Sequence, residues 1–316
     1  AQDSEQYTIM SYWAGSNTGS YMIDWSTFFF GNAQTPMLHD IAAIQSIYGA
    51  DPTTRTGNTV YGFNSNAGNA VYDFNQNPFP YLSIYDAGGN DTIDLSGFNA
   101  GVFLDLHAGS FSSAGQAVPQ ASVVNAARAA LGQIAGSPIS SLTQTQINAI
   151  SASYIAYNAS VIADDTGVTG VNATESMNLS IAYGTVIENG VGGSKRDVLW
   201  GNDVANVLKG MAGNDVLNGF EGADTLWGGT GADVFQFHVI ETGDRIADFH
   251  TNLDKIDLIG TGVDFTFVGG AAFTNTAGEL RFANGHLLGD VNGDGVADLD
   301  ITVSGGPVNA GDLLIL

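Results

Sequence analysis

Five blocks of nine residues follow one another without a gap between residues 192 and 236. In each block the first position is glycine, the sixth is Asp or Asn, and the eighth is an aliphatic or aromatic residue. Six glycine-rich residues can form a tight turn, and the next three can form a short strand with one inward apolar side chain. The repeat therefore predicts a solenoid in which each turn packs only against its neighbours.

Successive turns of such a solenoid alternate between its two edges, so blocks two apart should stack. On one edge Asp215 should lie between Asp197 and Asp233. On the other edge Asn206 should face Asp224. Carboxylates in a row repel one another unless a cation compensates them. Two stacked turns can supply the six or more oxygens that Ca²⁺ prefers at about 2.3–2.6 Å, so the repeat predicts calcium binding.

The blocks resemble the G-G-x-G-x-D-x-U-x nonapeptide of RTX proteins, which implies a parallel β-roll that binds Ca²⁺. Lys195 and Val204 replace the glycine at position four and Asn206 lacks a charge, so we expect weaker binding in the first two turns. The resemblance implies carbonyl or carboxylate ligands throughout the turns. They are Gly193, Lys195, Asp197, Asn202, Val204, Asn206, Gly210, Ala212, Gly213, Asp215, Gly219, Glu221, Asp224, Gly228, Thr230 and Asp233.

The composition fits calcium chemistry and excludes several other classes. The 32 acidic residues outnumber the 8 Lys and Arg, which gives a formal net charge of -24 and argues against a nucleic-acid partner. About five to seven Ca²⁺ ions would cancel roughly 10 to 14 of these charges. The absence of Cys excludes disulfides and thiolate zinc sites. No apolar run reaches the roughly 18–20 residues that a membrane span needs, so no membrane span is expected.

Residues 7–13, YTIMSYW, resemble the Met-turn of metzincin zinc proteases, and in particular of serralysins. Further segments resemble the serralysin chain in the same order. They are PMLHDIAAIQSIYGAD (36–51), TTRTGNTVYGFNSN (53–66), IYDAGGNDTIDLSGF (84–98), NLSIAYGTVIENGVGG (178–193) and IADFHTNLDKIDL (246–258). The chain is thus identified as the C-terminal portion of a serralysin-like secreted metalloprotease. The resemblance implies a mainly β fold, with the helical end of a metzincin protease domain over 1–50 and an RTX β-roll or β-sandwich domain over 51–316.

The same resemblance implies that Met10 forms the apolar floor under a zinc ion. It also implies that Tyr12 is an additional zinc ligand that steadies the tetrahedral intermediate. The motif H-E-x-x-H does not occur in these 316 residues, and the 5 histidines are scattered singly. Because catalytic zinc usually needs three protein ligands, we expect this chain to be inactive by itself. Zinc and the protein or peptide substrates would belong to a missing catalytic half, encoded upstream or present as a separate chain.

Calcium sites outside the repeats are also implied by the resemblance. One would join the carbonyls of Arg55, Gly57 and Thr59 with Asp86, Gly88 and Asp91, and a second would join Gly89, Asp91, Val186 and Glu188. The two glycines of the DAGGND loop would let the backbone curl until its aspartates converge, although an ordinary Asp-Gly turn is the alternative. After the roll, Asp244, Asp248, Asp254 and Asp257 could cap the last turns, with no residue favoured.

The segment DVNGDGVADLD (290–300) begins like an EF-hand loop. Asp290, Asn292 and Asp294 occupy positions one, three and five, but Ile301 stands where the bidentate Glu belongs. A calcium site and a metal-free hairpin are therefore equal alternatives for this loop.

Three helices are predicted outside the roll. Residues 36–48 have Pro in the first turn and Gly49 just past the end, and 121–134 and 143–158 have helical spacing within an insertion at about 112–177. The C-terminal AGDLLIL resembles the signal read by type I secretion machinery, or is an ordinary last strand, so an extracellular location is expected. The alternative function is a non-catalytic calcium-binding RTX module of an S-layer or adhesion protein, which has no need for the Met-turn or the 36–48 helix.

Overall fold

The computed structural model describes residues 4–11, 15–18, 20, 23–24 and 29–316. Within these residues the chain is mainly β, with short strands and three α-helices, so the predicted fold class is confirmed. The chain divides into two compact units, and the boundary predicted after residue 50 lies inside the first of them. Unit 1 comprises Ala1–Gly89, Gly97–Phe103 and Ala108–Val186, and unit 2 comprises Asn90–Ser96, Leu104–His107 and Ile187–Leu316.

The bounds of the elements follow in chain order. The helices are α1 (Leu38–Tyr48), α2 (Ala121–Ala135) and α3 (Gln144–Thr166), with 3-10 turns at Gly15–Asn17, Ala70–Tyr72, Ile259–Thr261 and Ala310–Asp312. The strands are β1 (Ile23–Asp24), β2 (Phe29–Phe30), β3 (Val60–Gly62), β4 (Leu82–Ile84), β5 (Thr92–Asp94), β6 (Phe103–Asp105), β7 (Phe111–Ser112), β8 (Leu179–Ile181), β9 (Asn189–Val191), β10 (Val198–Trp200), β11 (Val207–Lys209), β12 (Val216–Asn218), β13 (Thr225–Trp227), β14 (Val234–Gln236), β15 (Thr242–Ile246), β16 (Lys255–Asp257), β17 (Thr266–Phe267), β18 (Glu279–Ala283), β19 (His286–Asp290), β20 (Leu299–Val303) and β21 (Leu313–Leu314).

Helix α1 confirms the helix predicted over 36–48, although it begins two residues later. Gly49 adopts a φ of +82°, which a residue with a Cβ rarely takes, and the helix ends there. At the other end, Asp40 Oδ2 accepts the backbone N–H of Met37 at 2.9 Å and that of Ile9 at 2.9 Å. The same carboxylate therefore caps α1 and ties the segment that contains Met10 to the helix.

Helices α2 and α3 confirm the two helices predicted in the insertion, although α3 extends eight residues beyond the predicted end at 158. Thr143 caps α3 by accepting the N–H of Gln146, whose side chain accepts the Thr143 N–H in return, as in a capping box. Asn125 of α2 exchanges two hydrogen bonds of 2.8 Å with the backbone of Leu142, just before α3. The two helices are therefore joined as a hairpin within unit 1.

The nine-residue blocks of unit 2 form β10 to β14, each three residues long. Strands two blocks apart pair in parallel, with Leu199 opposite Leu217 and Leu217 opposite Phe235 on one side. On the other side Leu208 pairs with Leu226. One sheet contains the run β21-β16-β14-β12-β10, and the other contains the run β17-β18-β19-β20-β15-β13-β11-β9-β5. The predicted stacking of alternate blocks into a parallel β-roll is therefore confirmed.

The core of the roll consists of the apolar residues at position eight of each block. All five are fully buried, with 0% of their surface exposed. They are Leu199, Leu208, Leu217, Leu226 and Phe235. Because a three-residue strand directs its middle side chain to one face and its neighbours to the other, the two sheets face each other through a single layer of these residues. This thin core holds the turns in register on both edges.

Candidate metal centre

The aspartates at position six form a ladder along one edge of the roll. Asp215 Oδ1 accepts the backbone N–H of Asp197 at 2.9 Å. Asp233 Oδ1 accepts the N–H of Asp215 at 2.9 Å, and Asp254 Oδ1 accepts the N–H of Asp233 at 3.0 Å. The predicted neighbours therefore do stack, and each carboxylate supports the turn that precedes it on the same edge.

The other edge carries a second ladder of the same kind. Asp224 Oδ1 accepts the backbone N–H of Asn206 at 2.8 Å, and Asp244 Oδ1 accepts the N–H of Asp224 at 3.0 Å. In both ladders, one oxygen of the carboxylate therefore accepts a backbone N–H of the neighbouring turn. Two other acidic residues lie near the Asp224 turn: the Glu221 side chain is exposed, and Glu241 Oε2 accepts the N–H of Gly222 at 3.1 Å.

The second oxygen of three ladder carboxylates has no hydrogen-bond partner. These oxygens are the buried Oδ2 atoms of Asp215, Asp224 and Asp233. A buried carboxylate oxygen without a donor is costly, because it has lost water and gained nothing in exchange. A bound cation would supply the missing interaction, so these positions fit a metal that prefers oxygen ligands.

The glycine at position one leaves space beside each of these oxygens. A Cβ built on Gly210 would lie 2.5 Å from Asp215 Oδ2 and 2.7 Å from the carbonyl oxygen of Gly228 in the stacked turn. A Cβ on Gly219 would overlap the Asp224 carboxylate in the same way. Carboxylate and carbonyl oxygens from two turns therefore converge where only glycine fits, and such hard oxygens are the ligands that Ca²⁺ prefers.

Most ligands would have to be backbone carbonyls. Within the described part of the chain, no group of three or more His, Asp or Glu side chains is placed to hold an ion. Among the predicted carbonyl ligands, that of Thr230 already accepts the Gly213 N–H at 2.9 Å, and Ala212 forms a parallel bridge with Thr230. The Gly193 N–H donates to Asp197 Oδ2 at 2.6 Å. The structure thus places these turn residues together, while their role as ligands stays a prediction.

Burial raises the pKa values of the ladder carboxylates. The pKa of Asp215 is raised to about 8, mainly by desolvation and then by the charge of Asp197. Desolvation likewise raises the pKa of Asp224 to about 7 and that of Asp233 to about 6. The ordinary value is 3.8, so without a cation the folded roll retains protons that the unfolded chain has already released.

These shifts predict opposite pH dependences with and without calcium. Because the folded-state pKa values are raised, the folded roll binds more protons than the unfolded chain between about pH 4 and pH 8. In calcium-depleted buffer the roll should therefore lose stability as the pH rises across that window. Calcium binds the ionised carboxylates, so its affinity should instead increase with pH across the same window. Thermal unfolding and calcium titration, each at about pH 5.5 and about pH 8.5, measure the two trends.

A triple variant, Asp215→Asn with Asp224→Asn and Asp233→Asn, is the control for other titrating groups. It should weaken both pH trends, since three raised pKa values are then absent, while desolvation still raises the pKa of Asp244 to about 6. Stability that rises with pH in calcium-depleted buffer would contradict the assignment of these carboxylates.

The first predicted site outside the roll contains a buried carboxylate with partners inside unit 1. Asp86 Oδ2 accepts the hydroxyl of Tyr61 at 2.6 Å and lies 4.0 Å from Arg55 Nε, while Asp86 Oδ1 accepts the N–H of Gly88 at 2.9 Å. The Thr59 hydroxyl donates to the Gly57 carbonyl at 3.0 Å. Burial and the Asp86 carboxylate raise the pKa of Tyr61 well above its usual range, so it remains a donor.

Two residues of the second predicted calcium site, Asp91 and Glu188, are in direct contact within unit 2. Glu188 Oε2 accepts the backbone N–H of Asp91 at 2.7 Å, so these two predicted ligands lie together. The Val186 side chain is exposed, and Gly89 has a φ of +154°, as the prediction of a curled loop requires. Calcium binding at both sites stays a prediction.

The loop predicted to resemble an EF-hand is organised around the buried Asp290. Its Oδ1 accepts the N–H groups of Gly293 and Asp294 at 2.7 and 3.2 Å, and its Oδ2 accepts that of Gly295 at 2.8 Å. The side chain of Asn292 accepts the Asp294 N–H at 2.9 Å. These hydrogen bonds can hold the loop in shape without a metal, and they leave a calcium site possible as well. The calcium site and the metal-free hairpin therefore both stay predictions.

The protease residues predicted from the Met-turn are described only in part. Met10 is 78% exposed, and Tyr12 lies outside the described residues. Both roles therefore stay predictions.

Four acidic residues that sequence reasoning left unassigned or did not name support the last turns. Asp244 and Asp254 extend the two ladders, Glu241 accepts the N–H of Gly222, and Asp248 accepts the N–H groups of Gly228 and Gly229 at 2.9 Å each. Asp244 and Asp254 follow the preceding ladder residue by 20 and 21 positions instead of 18. A search for acids two or three residues out of register would have found them.

Comparison with known proteins gives two family matches. Residues 50–141 match the model of the peptidase M10 serralysin C terminal, and residues 200–235 match that of the RTX calcium-binding nonapeptide repeat. Metalloprotease AprA of Pseudomonas entomophila is 38% identical over 96% of this chain and 54% of its own length. Serralysin of Proteus mirabilis is 36% identical over 90% of this chain and 48% of its own length.

The chain thus spans about half the length of the curated relatives it matches. No helix within the described residues is long and apolar enough to cross a membrane. The family matches cover the segment from the end of α1 through α2 and most of the nine-residue blocks, and the relatives extend the similarity over nearly the whole chain. The chain is therefore a serralysin-like C-terminal portion that contains RTX calcium-binding repeats.

Proposed function

We propose that this chain is the calcium-stabilised C-terminal part of a secreted zinc endopeptidase of the serralysin type. The observation that carries the proposal is the row of buried, partnerless carboxylate oxygens, each beside the position-one glycine of its block. The Asp215 oxygen also lies beside the carbonyl of Gly228 in the stacked turn. Relatives that are named metalloproteases support the protease context over the S-layer or adhesion alternative. Zinc, when bound by the full-length enzyme, would polarise the scissile carbonyl.

The residues of this chain would contribute to catalysis through the Met-turn. Tyr12 would hold a phenol close to the zinc and donate a hydrogen bond to the developing oxyanion, and Met10 would pack beneath the metal. The link from Asp40 to Ile9 and Met37 would keep this segment fixed to α1. The protein or peptide substrate would be bound mainly by the catalytic half.

Calcium would make folding of the roll depend on whether the chain is inside or outside the cell. Where free Ca²⁺ exceeds the dissociation constant a hundredfold, mass action contributes about 2.7 kcal/mol per site. Roughly five to seven such sites would rival the 5–15 kcal/mol that stabilises a typical protein. The roll would therefore remain loose in a cytosol poor in calcium, which suits passage through a type I secretion channel, and would fold outside the cell.

The test uses casein hydrolysis in millimolar calcium. The chain of 316 residues by itself should show no activity that 1,10-phenanthroline inhibits, because it lacks H-E-x-x-H. The same chain joined to a catalytic half that contains this motif should hydrolyse casein, and Tyr12→Phe in the joined protein should lower kcat more than KM. Phenanthroline-sensitive activity of the chain alone would overturn the proposal, as would an inactive joined protein that binds zinc.

A further inference from the structure

The turn of residues 201–206 differs from the turns of Asp215, Asp224 and Asp233 in the way its buried polar groups are satisfied. Asn206 occupies position six, where the later blocks have Asp, and it is 1% exposed. Its Nδ2 donates to the carbonyl oxygen of Glu188 at 3.1 Å and to Asn202 Oδ1 at 3.1 Å. Its Oδ1 accepts the N–H of Asn202 at 2.7 Å. Both the oxygen and the NH2 group of this amide therefore have hydrogen-bond partners.

Asn202 completes the same network. Its Nδ2 donates to the carbonyl oxygens of Leu106 at 3.1 Å and Ile187 at 2.8 Å, and its Oδ1 also accepts the N–H of Val204 at 3.1 Å. Three backbone carbonyls at this end of the roll thus receive N–H donors from two side-chain amides. In a calcium site, such carbonyls would point at the ion.

The orientation of the Asn206 amide is fixed from both sides. Rotating it by 180° would place its NH2 group against the N–H of Asn202 and its oxygen against the carbonyl of Glu188. Both contacts would be repulsive, and the buried donors and acceptors would lose their partners. Beside the position-one glycine, Asp215 and Asp224 present an Oδ2 without a hydrogen-bond partner. At the same place, beside Gly201, Asn206 presents an Oδ1 that already accepts the N–H of Asn202.

We infer that the Asn202–Asn206 amide pair takes the place of a calcium ion in this turn, so that the N-terminal turn on this edge closes without metal. This inference rests on the proposed calcium binding by the other turns. The side chains of Asn202 and Asn206, two residues predicted from the family pattern as ligands, are committed to hydrogen bonds in this arrangement. Val204, the third predicted ligand, contributes its N–H to Asn202 Oδ1. The roll would therefore begin with one turn that is complete before calcium arrives, on which the Asp224 turn can stack.

The test is Asn206→Asp in the full chain, because it replaces the donor amide by an acceptor of the same shape. The variant should bind one calcium ion more per chain than the wild type, by titration and by metal analysis. In calcium-depleted buffer its Tm should fall by several degrees, since the new carboxylate faces the Glu188 carbonyl, and millimolar calcium should restore it. The matched variant Asp224→Asn should bind one ion fewer.

An unchanged ion count with tighter binding in Asn206→Asp would overturn the inference, because it would mean that Asn206 already ligates calcium. A crystal of the wild type grown in calcium provides a test that needs no variant. It should show no anomalous peak at about 2.3–2.6 Å from Asn206 Oδ1 while showing peaks beside Asp215 and Asp233. A peak beside Asn206 would overturn this inference alone, whereas the absence of peaks at every turn would overturn the proposed calcium function.

Discussion

Asp215→Asn should destabilise the chain in millimolar calcium and stabilise it in calcium-depleted buffer. With calcium, the variant loses a charged ligand, and the expected loss is about 2–3 kcal/mol if one site is emptied. Without calcium, the variant removes a buried carboxylate whose pKa is raised to about 8, which should add on the order of a few kcal/mol near neutral pH. Thermal unfolding of both proteins in the two buffers measures the reversal.

The amide that Asp215→Asn introduces has an acceptor available at the site. The carbonyl oxygen of Gly228 and Asp215 Oδ2 both lie beside the position of a Gly210 Cβ, so the new NH2 group could donate there much as Asn206 donates to Glu188. Asp203→Asn is the matched control, because the Asp203 side chain is 78% exposed and lies in the same roll. It should change stability by less than about 0.5 kcal/mol in either buffer. Destabilisation of Asp215→Asn in both buffers would contradict a cation-compensated carboxylate.

Leu217→Ala should be among the most damaging single changes in the roll, with an expected loss of about 2–5 kcal/mol. Leu217 is fully buried and stacks between Leu199 and Phe235 in one sheet. The cavity cannot be filled by a second layer of side chains, since each strand contributes one inward residue. Urea unfolding in saturating calcium measures the loss without emptying the metal sites.

Val204→Ala is the control for this change, because Val204 lies in a turn of the same roll with 38% of its surface exposed. It should cost less than about 0.5 kcal/mol. If the two variants lost equal stability, the thin core would not be what holds the strands together. If Leu217→Ala also lowered calcium affinity, the core would be shown to position the turns.

The β-roll could be predicted from the sequence because it is built from a short repeat of nine residues. A glycine, an Asp and a Leu recur at fixed positions, so that Asp215 must meet Asp197 and Asp233 once alternate blocks stack. The helices α1, α2 and α3 could be predicted for the same reason, from caps and spacing that act within one element.

What the sequence left open depends on groups that are far apart along the chain. The nine-residue repeat ends after residue 236, so the repeat alone did not assign roles to Asp244 and Asp254. Longer loops between the strands place these two carboxylates next to Asp224 and Asp233. The role of Asn206 was predicted from its position in the repeat as a weak ligand. The direction of its amide is decided by Glu188 and Asn202, and only a three-dimensional arrangement shows those partners.

The column that runs through Asp197, Asp215 and Asp233 stops at Asp254. Both oxygens of Asp254 are taken, by the N–H groups of Asp233 and His250, and its own N–H donates back to the His250 carbonyl at 2.9 Å. The next layer on this side comes from the chain itself, since β21 pairs with β16 and Asp312 Oδ1 accepts the N–H of Asn252 at 2.9 Å. The last turn of the aspartate column is therefore covered by a strand of the same molecule, which leaves its backbone paired.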